Sequence, residues 1–452
     1  MNAITKRKNE LAALIRAFQE GPVPAGSNWY LPFHEQRGAP RGHDAVARLR
    51  PPIAASPNGS TCQIFSGFQG SGKTTELFRF QAEMEEGGRP VVFLRGAELV
   101  NLFSPIEPSD LLLAVAAGVA YSLETNKKLP NPVRKTLRDR IGEFVDSIKL
   151  SELSTGLGVD LGLGTGAKAG LNLLRLRLAL TENPSFKTQV QQKYRATLDQ
   201  FLAAFHKLMR AARDLLVPDK QGMSPILLVD DLEKIQGVGA ESLRVQETVE
   251  QLFWKFHDTL RIEGWHTVWA APPYLQLLNG AAVGRYDRCV ILPMVRVWDN
   301  NPERTPNEEG ISAMEKCLRK RGDIGSLFLN DESLRKMITV SSGHLRDLVR
   351  LIREAAMEAY AQTDPTRPLN EVDAQAVIND YAGACQRAIY DEDIPWLRRL
   401  AESRALSLPT ASMLPRAAKL IDTAVVMAYR NGEEWFDVSA PVRAKILPRE
   451  HG

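Results

Sequence analysis

The run Gly67-Phe68-Gln69-Gly70-Ser71-Gly72-Lys73-Thr74 has the residue types and the spacing to hold a chain of phosphates. It fits GxxxxGK[ST] and directly follows the apolar pair Ile64-Phe65. Glycines at these positions let successive backbone N–H groups turn inward around anionic oxygens, and a helix beginning beyond them adds the positive end of its dipole. In such a loop Gly67, Gly70, Ser71 and Gly72 form the cradle, with Thr75 beside it. Lys73 reaches the β- and γ-phosphates, and the Thr74 hydroxyl holds Mg2+. An ordinary glycine-rich turn is the plain alternative; the preceding strand, the helix-forming residues 75–80 and a second motif downstream weigh against it.

That second motif is Ile226-Leu227-Leu228-Val229 running into Asp230-Asp231. Four apolar residues before two carboxylates make a buried strand that delivers charge to the nucleotide edge of a parallel sheet. Asp230 suits Mg2+, and Asp231 or Glu233 suits polarisation of an attacking water. Two further groups carry cations. Arg285 and Arg288 precede the apolar residues 289–293, either as surface arginines or as charges projected to a neighbouring subunit's γ-phosphate. Arg346 stands near a helix start, where it reaches back to phosphate from a lid or belongs to a solvated basic face with Arg350 and Arg353; His344 beside it reads as structural.

The elements that must position these residues alternate strand with helix, which implies an α/β fold with a parallel sheet and crossover helices. Residues 90–95, 267–271 and 289–293 supply further strands, and residues 111–123 a buried helix capped by Ser109 or Asp110. Between 126 and 213 the pattern changes to charged helices around a glycine-rich centre, flanked by alternating leucines at 174, 176, 178 and 180. This stretch, 154–180, reads as an inserted β-hairpin that meets a partner, another subunit or a membrane, or else as a flexible linker. From residue 300 the chain turns helical, at 311–321, 331–340 and 342–353. The tail holds helices at 394–403 and 416–422 and two alternating segments around Asn431-Gly432, a hairpin signal, which together suggest a winged helix. At the other end, a helix around 8–19 leads into a Pro/Gly-rich passage, 21–57, holding Trp29-Tyr30-Leu31-Pro32-Phe33. That cluster is either an arm packed on the core or a stacking segment beside a nucleotide. The expected organisation is an N-terminal arm (1–60), an ATPase core (61–300, inserted at about 126–213), a helical lid (301–380) and a winged-helix-like domain (381–452).

At 452 residues the chain can build more than one core. Charged residues at 25% and a net charge of +3 describe an ordinary soluble chain and give no general argument for nucleic acid. Cys62, Cys289, Cys317 and Cys385 match no metal spacing, which suits a reducing compartment. The N-terminus lacks an apolar leader and the longest apolar run, 111–121, is too short to span a bilayer, so the cytoplasm is the expected location.

With both phosphate and carboxylate motifs, the Gly343-His344-Leu345-Arg346 segment and the winged-helix-like tail, the chain resembles the AAA+/STAND branch of P-loop ATPases. Within it, the chain looks most like bacterial origin-recognition-like and signal-transducing members. The resemblance implies a parallel-sheet P-loop core with a helical lid, ATP and Mg2+ as cofactors, and slow hydrolysis of ATP. It gives Lys73 and Thr74 to phosphate and metal, Asp230 to the metal, Asp231 to the place of the usual Glu base, Arg346 to sensor 2, and Arg285 or Arg288 to the arginine finger. Residues 267–271 end without a polar sensor-1 residue, and with Asp in place of Glu this implies a slow switch more than a motor. The same resemblance implies homo-oligomers or an effector partner, in anti-phage systems among others; a DNA-gated initiator or loader is the rival reading, and a nucleotide-bound scaffold a third.

Overall fold

Five short runs build one sheet, four of them mostly apolar and β1 mixed: β1 (Thr61–Gly67), β2 (Val91–Arg95), β3 (Ile226–Asp230), β4 (His266–Ala271) and β5 (Arg288–Leu292), in the order β2-β3-β4-β1-β5. The β1–β4, β3–β4 and β2–β3 pairs are all parallel. Every residue of β1, β3 and β4 is buried, as expected of central strands in a parallel sheet covered on both faces. The edge strand β2 instead alternates buried with half-buried positions. Pairing of Ser66 with Ala271 and of Val229 with Trp269 brings the ends of β1 and β3 to the same sheet edge, with β4 between them.

The computed structural model describes residues 2–126, 130–150, 179, 183–218, 223–237, 241–277 and 284–447. They divide into two units, Met1–Ala45 with Gly67–Arg79 and Ile291–Gly452, and Val46–Ser66 with Phe80–Val290. The expected hairpin over 154–180 lies outside the described residues, Ala179 apart.

In the sheet unit the helix Pro108–Thr125 is buried at every position from Pro108 to Ala120, the mark of a helix surrounded on all sides. Gly118 lets it lie close to β2: a Cβ there would come within 3.1 Å of the Leu94 and Leu99 methyls. The helix begins earlier than expected. Glu107 is its N-cap and Pro108 its first residue, while Asp110 reaches back from inside the first turn to the Glu107 N–H at 3.1 Å. Helices Asn131–Ser147, Pro184–Ala196 and Leu198–Leu216 pack around it.

The other unit is mainly helical. The helices Glu308–Arg319, Asp331–Val340, Leu345–Ala361 and Glu371–Gln386 each start on a side chain, Asn307, Asn330, His344 or Asn370, that accepts an N–H of the first turn at 2.8–3.2 Å. These caps explain why the first three open where they do, up to three residues from the positions that apolar periodicity gave; the fourth, Glu371–Gln386, had no counterpart in the sequence reading. The N-terminal helix Ala3–Ala17 is capped by Asn2 and likewise begins before its expected start. Its Leu11 and Leu14, together with Phe18, Leu31 and Phe33 of the following passage, enter one core with Met314, Ile338, Leu348 and Ile352. The aromatic cluster is therefore an arm packed on the core.

The tail contains helices Ile394–Ser403 and Leu414–Asp422, the antiparallel hairpin β6 (Val426–Asn431) and β7 (Glu433–Val438), and a helix that the sequence reading missed, Ala440–Ile446. Tyr429 stacks on its cross-strand partner Trp435 at 4.4 Å, and Gly432 turns the tip with a φ of +100°. The fold is thus α/β, with a P-loop-like parallel sheet, helices beyond residue 300 and a winged-helix-like C-terminal part. No described helix is long and apolar enough to cross a membrane.

Candidate nucleotide-binding site

A loop that turns its N–H groups toward a ligand must turn its carbonyls away, and each of those needs a donor. In residues 67–71 every carbonyl has one. Lys73 Nζ donates to Gly67 O at 2.7 Å and Phe68 O at 3.0 Å. His344 Nε2 contacts Gln69 O at 2.5 Å, the Arg346 backbone N–H donates to Gly70 O at 3.2 Å, and the Arg41 guanidinium donates to Ser71 O. Since a trans peptide points its C=O and its following N–H in opposite directions, each outward carbonyl fixes an amide on the other side.

The glycines are demanded by this geometry. Gly70 and Gly72 have φ of +82° and +96°, open to glycine at little cost. A Cβ at Gly70 would also lie 2.5 Å from the His344 ring and 2.7 Å from the Arg346 Cβ. Ser71 is fully buried, and its Oγ has no hydrogen-bond partner among the described residues, which suits a phosphate oxygen. The loop opens the helix Lys73–Glu86, whose first turn carries Thr74. Thr75 Oγ1 accepts the Val23 N–H at 2.9 Å, so that hydroxyl is engaged by the N-terminal arm.

Around the loop the lid and the arm meet in ion pairs. His344 Nδ1 accepts the Asp347 N–H and lies 3.1 Å from the Asp347 carboxylate. Burial works to raise the Asp347 carboxyl, but His344 and the Tyr381 hydroxyl outweigh it and bring it to about 2. Glu20 of the arm accepts two guanidinium nitrogens of Arg350, at 2.9 and 3.1 Å, which hold its carboxyl below the usual range; Arg346 lies 3.8 Å away. The sequence brought Arg346 to notice. It gave no sign of Arg41, which lies 26 residues before Gly67 in a Pro/Gly-rich passage and matches no motif. For His344 a signal existed, since a polar residue before a helix with Asp three positions on is a cap pattern.

The carboxylates belong to the sheet unit. Asp230 is the last residue of β3; it, Asp231 and Glu233 are buried, and their oxygens lie within 4.8 Å of one another. Such a hard-oxygen set fits Mg2+. Asp231 has a φ of +68°, a left-handed backbone that costs a non-glycine residue on the order of 1–3 kcal/mol, and Lys234 is ion-paired with it. Arg285 lies over the Trp254 ring at 5.8 Å and Arg288 is exposed at the start of β5. Between them Asp287 exchanges hydrogen bonds with Cys62, at the end of β1 away from the glycine loop.

No family model and no curated protein sequence matches the chain. Among solved structures it is similar to the ORC2 protein of Aeropyrum pernix, solved as ADPNP–ADP complexes, at 13% identity and a TM-score of 0.41, with 94% of this chain and 93% of that chain covered. At that distance the residues of this chain, not the likeness, carry the functional reading.

Proposed function

We propose that the protein is an ATP-binding, slowly hydrolysing molecular switch of the AAA+/STAND kind, whose nucleotide state is passed to the winged-helix-like tail and so to a protein partner. The observation that carries this is the turn Ser341–Arg346. On one side His344 and Arg346 hold the carbonyls of Gln69 and Gly70. On the other, Ser342 O accepts the Tyr429 hydroxyl of β6 at 2.8 Å and Ser342 Oγ accepts the Ala440 N–H at 2.7 Å. Ser342 and Gly343 both have positive φ, and a Cβ on Gly343 would fall 1.7 Å from Val295 O, so the turn has little freedom to absorb movement. A shift of the phosphate loop is then transmitted and not dissipated.

In this reading the loop amides, Ser71, Lys73 and Arg346 bind the phosphates of ATP. Thr74 and Asp230 hold Mg2+, which supplies charge neutralisation on the phosphate oxygens. Asp231 or Glu233 orients the water that attacks the γ-phosphorus. The Lys234 pair engages Asp231 and supports slow turnover. Arg285 or Arg288 serves a neighbouring copy. The domain divisions at about residues 60, 300 and 380 mark arm, core, lid and tail.

A protein partner, either another copy or an effector such as those of anti-phage systems, is favoured over DNA by the fate of the basic residues. Arg416, on the helix Leu414–Asp422 that precedes the hairpin, is bound to Asp393 and lies over Tyr390 at 4.4 Å. Arg319 pairs with Glu315, Lys320 donates to Asn28 O, and Arg321 lies over Trp29.

The test is ATP turnover and sizing of wild type, Lys73→Ala and Tyr429→Phe, with and without duplex DNA. Slow DNA-independent turnover with ATP-dependent assembly, absent in Lys73→Ala, is the expected result. Tyr429→Phe should keep ATP affinity within about twofold while assembly weakens, the loss of one buried hydrogen bond being about 1 kcal/mol. Turnover stimulated by DNA would replace the switch with the initiator reading.

A further inference from the structure

Three donors from outside the phosphate loop hold its carbonyls, and two of them, His344 and Arg346, come from the lid. The third comes from the arm. Arg41 is buried to 6% exposure, and its guanidinium donates to Ser71 O and, from Nε at 3.0 Å, to Pro293 O. It lies over the Phe33 ring at 5.5 Å, with Glu76 Oε1 3.9 Å from Nη1. Its two terminal nitrogens would be 3.9 and 4.0 Å from a Cβ on Gly72.

We propose that Arg41 is a positioning residue for nucleotide: by holding the Ser71 carbonyl outward it aims the Gly72 N–H into the phosphate cradle and makes the N-terminal arm part of the nucleotide response. The inference rests on the nucleotide-binding reading of the loop.

Planarity of the Ser71–Gly72 peptide supplies the mechanism, because the carbonyl cannot rotate without carrying the amide with it. The fork of Arg41 spans two carbonyls, Ser71 O and Pro293 O, which a lysine's single ammonium on a flexible stem does not reproduce. Charge is not the device. Arg41 and Arg79 face Glu76 and Asp44, with Arg79 Nε 3.0 Å from Glu76 and Nη1 3.1 Å from Asp44, so two cations are balanced by two carboxylates. Tyr30 adds its hydroxyl to Glu76 at 3.3 Å. From Tyr30 to Asp44 the arm thus grips the first turns of the helix that the phosphate loop opens. Ordering of the loop by a ligand should therefore protect the arm.

The experiment titrates a fluorescent ATP analogue with Mg2+ into wild type, Arg41→Lys, Arg41→Met and Lys73→Ala, and follows hydrogen exchange of residues 20–45 with and without the analogue. Expected are affinities weakened about tenfold or more in both Arg41 variants, the loss of a charged hydrogen bond. Nucleotide-dependent protection of the arm should appear in wild type and be lost in Arg41→Lys. A merely structural Arg41 would lower the melting temperature and leave the affinity of the folded protein unchanged, and that result overturns the proposal. So does wild-type affinity in Arg41→Lys, which would make charge sufficient. Should Arg41→Met fail to fold, Arg41→Lys decides. Absence of binding by wild type would overturn the nucleotide reading itself, whereas binding by wild type with equal binding by both variants overturns the Arg41 role alone.

Discussion

His344 Nε2 lies 2.5 Å from the carbonyl oxygen of Gln69, 275 residues away in the chain, while the Nδ1 of the same ring caps the helix Leu345–Ala361. One imidazole therefore sets both the start of a lid helix and the direction of a phosphate-loop peptide. The two roles separate by substitution. His344→Asn keeps a cap and loses the reach to Gln69, so it should cost roughly 1 kcal/mol of stability and, with that peptide no longer held, weaken affinity for the ATP analogue several-fold. His344→Ala should lose both, with a further cost of about 1 kcal/mol for the cap. Calorimetric melts beside ligand titrations separate the two effects; equal affinity in all three proteins would dissociate His344 from the loop.

Asp231 and Lys234 form the second testable pair. Removing the cation in Lys234→Ala releases the carboxylate, and turnover should rise several-fold. Asp231→Asn should lower it about a hundredfold or more, the scale of general-base catalysis, with ATP affinity preserved. Asp231→Gly would also relieve the left-handed backbone and raise stability by about 1 kcal/mol even as turnover falls. Single-turnover phosphate release measures the first two, and denaturant titration the third. Unchanged turnover in both Asp231 variants would move the base role to Glu233.

His266 opens β4 and lies 3.0 Å from the Thr61 hydroxyl; burial, then Arg89, holds its imidazole down at about 4. The unfolded chain takes up this proton near 6.5 and the folded chain only near 4, so stability falls as pH drops through that window and levels off beneath it. The loss from this one group is at most about 3 kcal/mol. Asp110 works in the opposite sense: burial pushes its carboxyl up to about 6, so its share of stability falls as pH rises toward that value. The contribution of His266 is therefore read as the difference between wild type and His266→Gln, measured by urea unfolding at pH 7, 5.5 and 4. That difference should shrink steadily as the pH is lowered.

Asp437 is 2% exposed on β7 and receives three guanidiniums, Arg304 at 3.1 Å, Arg443 at 2.7 Å and Arg404. Asp437→Asn leaves buried positive charge without its counter-ion, which costs about 3–5 kcal/mol. The tail should then lose its hydrogen-exchange protection at a lower temperature than the sheet. Coincident melting of both would show that they unfold as one.

What the sequence made legible follows from how far each signal must reach. Strands β3 and β4 were visible because strands buried on both faces need apolar runs, as at 226–229 and 268–271, whereas β1, interrupted by Gln63 and Ser66, was placed by the glycine loop that follows Ile64-Phe65. The turn at Asn431-Gly432 was visible because its chemistry is local. The helix starts were displaced because periodicity marks the buried stripe and not the polar residue that opens the first turn, as at Asn307 and Asn2. Arg41 was invisible altogether. Nothing within ten residues distinguishes it from a solvated arginine, and only the folded approach of the arm gives it the Ser71 carbonyl. Ala440–Ile446 was missed because it is short and opens with Pro441 in its first turn, a composition that reads equally well as a turn.

Lys73 serves the loop twice. Its ammonium donates to Gly67 O and Phe68 O, so the cation that a phosphate would meet is the same group that holds those two carbonyls outward. Under the nucleotide reading, loss of Lys73 therefore costs the charge and the shape of the cradle together.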